Sequence, residues 1–167
     1  LWNNSRTVVA LLYNGFMVVC EVESKKSHAV TRLPPPLAVR LAPLAGDELT
    51  AAALAMSGIQ CETRARVGAS SSDALRFSPE TLSASLVVIA LGSNDPRSPK
   101  LLRNLDVIRR RTTASRVVWI APYNPAASAI VRTVAVTFGD TVVHLDAFRT
   151  QDGIHPVSYS SVAQMVS

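Results

Sequence analysis

Three short stretches of this chain carry residue types that hydrolytic chemistry uses: Gly46-Asp47-Glu48-Leu49-Thr50, Leu91-Gly92-Ser93-Asn94-Asp95 and Asp152-Gly153-Ile154-His155-Pro156. They bring a lone carboxyl group at a turn, a side-chain amide beside a glycine, and an imidazole with a carboxylate three residues before it. Together they suggest a hydrolytic site on an α/β scaffold. Each also has a plain structural reading. Asp152 and Asn94 suit turns, Gly68 is a turn glycine, and His155 is a loop histidine.

Such groups act together only if the fold gathers them, so the elements around them matter. Ala38 to Ala45 is strand-like and runs into the Gly46-Asp47 turn, and Leu49 to Met56 is a helix closed by Ser57-Gly58. Ile59 to Val67 is a second strand, with alternating polar positions. Gly68 to Ser72 is a turn, and Ser72 is placed to cap a short helix from Asp73 to Phe77. The uninterrupted apolar run Leu86 to Leu91 is typical of a central parallel strand buried on both faces. Ser98-Pro99 opens a helix with Leu101, Leu102, Leu105 and Ile108 near helical spacing. Val117 to Ile120 is a strand, Ala126 to Phe138 a helix ended by Gly139, Thr141 to Leu145 the last strand, and Tyr159 to Val166 the last helix. Alternation of this kind implies βαβ units and a parallel sheet covered on both faces. Working loops leave the carboxyl ends of such strands. Glu48, Gly68, Asn94 and the Asp152–His155 stretch all follow strands, so they fall on one edge.

The first third reads differently. Thr7 to Tyr13 and Phe16 to Val22 flank Asn14-Gly15, a strong hairpin signal. Both arms are apolar on both faces, so the hairpin packs on the main domain or docks on another chain; the two are equally open. Leu33-Pro34-Pro35-Pro36 is a stiff connector. The expected organisation is a hairpin appendage with connector over 1–36 and a main domain over 37–167.

Composition narrows the class. Hydrophobic residues at 48% and charged residues at 17% describe a globular chain and exclude disorder. The formal net charge of +5 suits acidic partners or simply aids solubility, and no aromatic-basic motif points to specific nucleic acid binding. Cys20 and Cys61 read as buried free thiols, with a disulfide left open. His28 and His144 have no partners at metal-ligand spacing, so no metal or other cofactor is expected. Thr7 to Cys20 is too short to span a bilayer. A start at Leu1 reads as a segment of a longer protein or a processed product. Arg109-Arg110-Arg111 reads as a solvated helix end, with an anion-binding patch as the alternative.

In order and spacing, Gly46-Asp47-Glu48, Gly68, Gly92-Ser93-Asn94-Asp95 and Asp152-Gly153-Ile154-His155 resemble the blocks of the SGNH hydrolases, also called GDSL esterases and lipases. The resemblance covers the chain from about Leu37 onward. It implies a three-layer αβα sandwich, flavodoxin-like, with a parallel sheet of about five strands. It implies His155 as general base, Asp152 as the group orienting it, and the Gly68 N–H and Asn94 amide as oxyanion donors. Glu48 stands where the family has its nucleophilic serine, and a carboxylate cannot be acylated in that way. Three readings follow. Glu48 is the acid/base of glycan cleavage, assisted by the substrate's N-acetyl group. Or Glu48 pairs with His155 in a catalytically dead domain that serves binding or assembly. Or a water activated at His155 or Glu48 hydrolyses an ester. Tyr123, after the Trp119 strand, is a candidate sugar-stacking residue on the active edge. The expected substrate is a bacterial envelope polymer, peptidoglycan or acetylated polysaccharide. The style of the chain suits a phage virion module or a cell-wall enzyme, with protein partners reached through the hairpin at 7–22.

Overall fold

The structure, a computed structural model, describes residues 6–11, 17–23, 60–64 and 68–166. It is α/β, with an open, mostly parallel sheet flanked by helices, compatible with a three-layer sandwich. The expected Asn14-Gly15 turn, the proline connector, the strand at 38–45, the helix at 49–56 and Glu48 lie outside the described residues.

Two strand groups are formed. β1 (Arg6–Leu11) and β2 (Met17–Glu23) pair antiparallel, from Arg6 opposite Glu23 to Leu11 opposite Val18. β3 (Gln60–Arg64) pairs antiparallel with β2, a register that sets Cys61 opposite Cys20. The sequence reading placed this strand in the parallel sheet. Its alternation of Gln60, Glu62 and Arg64 with less polar residues suits an antiparallel strand with one wet face.

The parallel sheet is β4 (Leu82–Ile89), β5 (Thr112–Ala121) and β6 (Thr141–His144), in that order. The register runs from Leu82 opposite Thr112 to Ile89 opposite Trp119, and from Val118 opposite Thr141 to Ala121 opposite His144. Side chains alternate between faces along a strand. Val87, Ile89, Val117, Trp119 and Ala121 pack in one cluster with α1 (Ser71–Phe77), α2 (Leu101–Arg110) and α3 (Pro125–Phe138). The intervening Leu86, Val88, Val118 and Ile120 are buried too, which is why both strands read as continuous apolar runs. α4 (Tyr159–Val166) lies against β6 and buries Val162 and Val166.

Local chemistry sets the helix ends. α1 starts two residues earlier than expected, because Ser70 rather than Ser72 caps it. The Ser70 side chain accepts from the Asp73 N–H, and the Asp73 carboxylate answers the Ser70 N–H, forming a capping box. α2 begins at Leu101, after a turn in which the Leu101 N–H donates to the Ser98 carbonyl. Asn124 caps α3, Pro125 occupies its first position, and Gly139 closes it at φ 71°.

The three arginines at the end of α2 are not one solvated cluster. Arg109 turns inward. Its Nε and Nη2 donate to the two Asp140 oxygens at 2.6 and 2.9 Å, and Nη1 donates to the Thr112 carbonyl. The Trp119 indole N–H donates to the same Asp140 Oδ2 at 2.9 Å. Arg109 also stacks 4.8 Å from the Phe138 ring centre. Arg110 pairs with Asp106 on the surface, and Arg111 donates to the Leu75 carbonyl.

Candidate active site

Two loops at the carboxyl end of the sheet are stitched together. β4 leads into Gly92, whose φ of +100° disfavours any side chain and whose Cα faces Ala127 and Leu101, each 3.4 Å from where a Cβ would stand. This close approach seats the starts of α2 and α3 against the loop. The next residues, Ser93 to Pro96, reach across to the Gly68–Ser72 turn. The Asn94 amide donates to the Ala69 carbonyl at 3.0 Å. Ser71 donates its N–H (3.0 Å) and its hydroxyl (2.5 Å) to Asp95 Oδ2. Asn104, buried on α2, donates to the hydroxyls of Ser71 and Ser72, each at 2.9 Å. Asp95 Oδ1 is buried and has no hydrogen-bond partner among the described residues.

The expected pair of donors is therefore brought into one place. Gly68 is exposed at φ +72°, and the Asn94 amide sits on the residue that follows it. Of the residues that hold them there, Asp95 belongs to the Gly92–Asp95 stretch, while Ser71 and Asn104 were not singled out by sequence. A signal existed at Asn104, a polar residue between Leu101 and Ile108 on the apolar stripe of α2. For Ser71 there was none, because Ser70-Ser71-Ser72 reads simply as a turn.

After β6 a single 3₁₀ turn, Leu145–Ala147, leads to a closed loop. The Val157 N–H donates to the Arg149 carbonyl at 2.8 Å, and Thr150 bridges Pro156. Asp152 organises the tip. Its Oδ1 accepts the N–H groups of Ile154 (2.8 Å) and His155 (2.7 Å), and its Oδ2 meets His155 Nδ1 at 2.5 Å. Gly153, at φ +74°, makes this tight reversal possible, and its N–H donates to the Thr150 hydroxyl. Both side chains of the pair are partly open, 49% exposed for Asp152 and 38% for His155.

The hydrogen bond from the His155 ring, then the two backbone N–H groups, hold the Asp152 carboxyl well below the usual carboxylate range. A carboxyl whose folded pKa is depressed contributes to stability above its unfolded pKa and loses that contribution as pH falls through the folded value. The Ile154 and His155 amide resonances are therefore expected to titrate only well below the ordinary carboxylate range. NMR titration checks this; a midpoint at the normal aspartate value would contradict it.

Tyr123 follows β5 and donates its hydroxyl to the Phe148 carbonyl at 3.3 Å, joining the β5 loop to the His155 loop. Burial chiefly raises its pKa, with the Asp152 and Asp146 charges adding and a Thr150 hydrogen bond opposing, so it is a neutral phenol at physiological pH. A cleft of about 220 Å³ opens here, lined by Ser93, Pro96, Pro122, Tyr123, Asn124, Gly153 and Ile154. It joins the loops of Asn94, Tyr123 and His155. Glu48 is outside the described residues. Among the described residues no three His, Cys, Asp or Glu side chains gather as a metal ion requires, and no helix is long and apolar enough to cross a membrane.

Chemically, the arrangement offers an imidazole paired with a carboxylate, and a small cleft lined by a phenol and by residues next to that pair and to the Asn94 amide. Comparison with protein-family models, with curated proteins and with solved structures returns no match.

Proposed function

We propose that this chain is an SGNH-hydrolase-like domain directed at a bacterial envelope polymer, peptidoglycan or acetylated polysaccharide. The observation that carries the reading is the Asp152–His155 pair beside the cleft that holds Tyr123. A loop that spends one carboxylate on an imidazole and two backbone N–H groups suits a proton-transferring histidine. A module kept only for assembly needs no such pair.

In this reading Glu48 protonates the leaving glycosidic oxygen while the substrate's N-acetyl carbonyl assists at the anomeric carbon. The Asn94 amide and Gly68 N–H hold that carbonyl, and Tyr123 lies against the sugar. His155, oriented by Asp152, takes the proton of the water that completes hydrolysis. A second reading is favoured by the same pair, because it needs no nucleophilic side chain: water activated at His155 removes an acetyl ester from the same polymer.

The test is turnover of peptidoglycan, chitooligosaccharide and a short-chain aryl ester. Release of sugar fragments that is lost in Glu48→Gln is expected. Ester turnover that survives Glu48→Gln but vanishes in His155→Gln selects the second reading. Absence of turnover on all three overturns both and leaves a binding or assembly module. Glu48→Ser is expected to raise esterase activity, since it restores an acylable hydroxyl beside the remaining machinery.

A further inference from the structure

Four arginines of the described parallel sheet and its helices are used by the fold. Arg76 pairs with Asp73, Arg109 with Asp140 and Arg110 with Asp106, while Arg111 donates to a backbone carbonyl. Arg97, Lys100, Arg103 and Arg149 are different, a property they share with Arg132 on α3. All four are exposed, and their side chains make no hydrogen bond or ion pair among the described residues. They share the carboxyl edge of the sheet, three between β4 and the first turn of α2, and one after β6.

Folding does not ask for cations there. The amino end of a helix favours acidic residues, yet the first turn of α2 has none and carries Lys100 and Arg103. Among the described residues the acids of this edge are Asp95, turned onto Ser71, Asp152, turned onto His155, and the exposed Asp146, so the four cations outnumber them by one. Two of the cations adjoin the cleft along the chain. Arg97 follows Pro96 of one wall, and Arg149 opens the loop that supplies Gly153 and Ile154 of the other.

We infer that Arg97, Lys100, Arg103 and Arg149 form a rim that binds a carboxylated glycan along the cleft. The inference rests on the hydrolase reading for what the cleft holds, but it concerns binding, which is measured without turnover. Guanidinium groups match carboxylates with paired hydrogen bonds, and three of the four cations are arginines. A nucleic acid is disfavoured because the cleft offers one half-buried aromatic, Tyr123, and no row of rings on which bases stack.

The test is binding of the intact chain to polygalacturonate, to uncharged dextran and to a single-stranded DNA oligomer, at about 50 and about 300 mM salt. Polygalacturonate is expected to bind, dextran not, and the higher salt to weaken binding about tenfold or more. Arg97→Gln/Arg149→Gln is expected to lose about tenfold in affinity at low salt. Arg116→Gln/Arg132→Gln, an equal charge change at exposed residues away from this edge, is expected to lose little. Equal losses in both double variants would reduce the effect to overall charge and overturn the rim. DNA binding as tight as polygalacturonate binding would overturn the glycan class, and no polygalacturonate binding would overturn the proposal. Loss of turnover with binding intact would instead count against the hydrolase reading alone.

Discussion

Under the proposed hydrolase reading, Asp152→Asn is expected to lower turnover by about 10²–10⁴-fold, the range in which a positioned acid–base group contributes. The variant keeps much of the local structure. An Asn oxygen still accepts the Ile154 and His155 N–H groups that Asp152 Oδ1 accepts now. The change falls on the other arm. Oδ2, which meets His155 Nδ1 at 2.5 Å, becomes an NH₂ donor. Nδ1 must then accept, the ring proton moves to Nε2, and the nitrogen that should take a proton from water already carries one. The imidazolium also loses its carboxylate neighbour. The loss should appear in kcat with little change in KM, while the backbone resonances of residues 150–157 stay near their places. Unchanged kcat would remove His155 from the chemistry. A collapsed loop spectrum would mean that Asp152 acts through the fold instead.

Asp140→Ala is expected to destabilise the folded chain by about 3–5 kcal/mol, the cost of removing one partner of a buried ion pair. Asp140 is 5% exposed and Arg109 15%, and the guanidinium has committed two of its nitrogens to that carboxylate. The fully buried Trp119 depends on the same oxygen for its indole N–H. Removal therefore leaves a largely buried guanidinium without its carboxylate and a buried indole N–H without its acceptor. A fall in melting temperature of roughly 6–20 °C follows for a chain of this size. Asp106→Ala, which breaks only the surface pair with Arg110, is expected to change stability by less than about 1 kcal/mol. Denaturant midpoints of the two variants test the contrast; similar losses would contradict it.

The two predictions draw on different kinds of legibility. The Asp152–His155 pair was readable because its members are three residues apart and a Gly between them permits the reversal. The Arg109–Asp140–Trp119 group was not. Asp140 lies 31 positions from Arg109 and 21 from Trp119, and the three meet only when α2 and the start of β6 settle on the same end of β5. Arg109-Arg110-Arg111 looks like one charged run, yet the turn of the helix sends Arg109 inward and leaves Arg110 in water. A run of like charges carries no information about which member has a buried partner.

Helices and central strands followed from local chemistry. Continuous apolar runs marked β4 and β5, Gly139 marked the end of α3, and errors at helix starts were of two or three residues, as at Ser70 and Leu101. Strand direction was less legible. The residues at 60–64 have strand character in any pairing, and only the partner across the ladder decides that they run antiparallel to β2. Propensity acts within a residue and its near neighbours; pairing is chosen by distant segments.

The same division holds at the edge where the opening motifs lie. The residue types and their placement after strands were set by the sequence alone: an imidazole with a near carboxylate after β6, and an amide after a glycine that follows β4. The tertiary structure decided that the Asn94 amide rests on Ala69, that Ser71, Asp95 and Asn104 bind two loops into one unit, and that Tyr123 joins the His155 loop through the Phe148 carbonyl. The reason is physical. A tight turn is encoded by the few residues that make it, whereas contacts between loops exist only after the sheet has placed their strand ends a few ångströms apart.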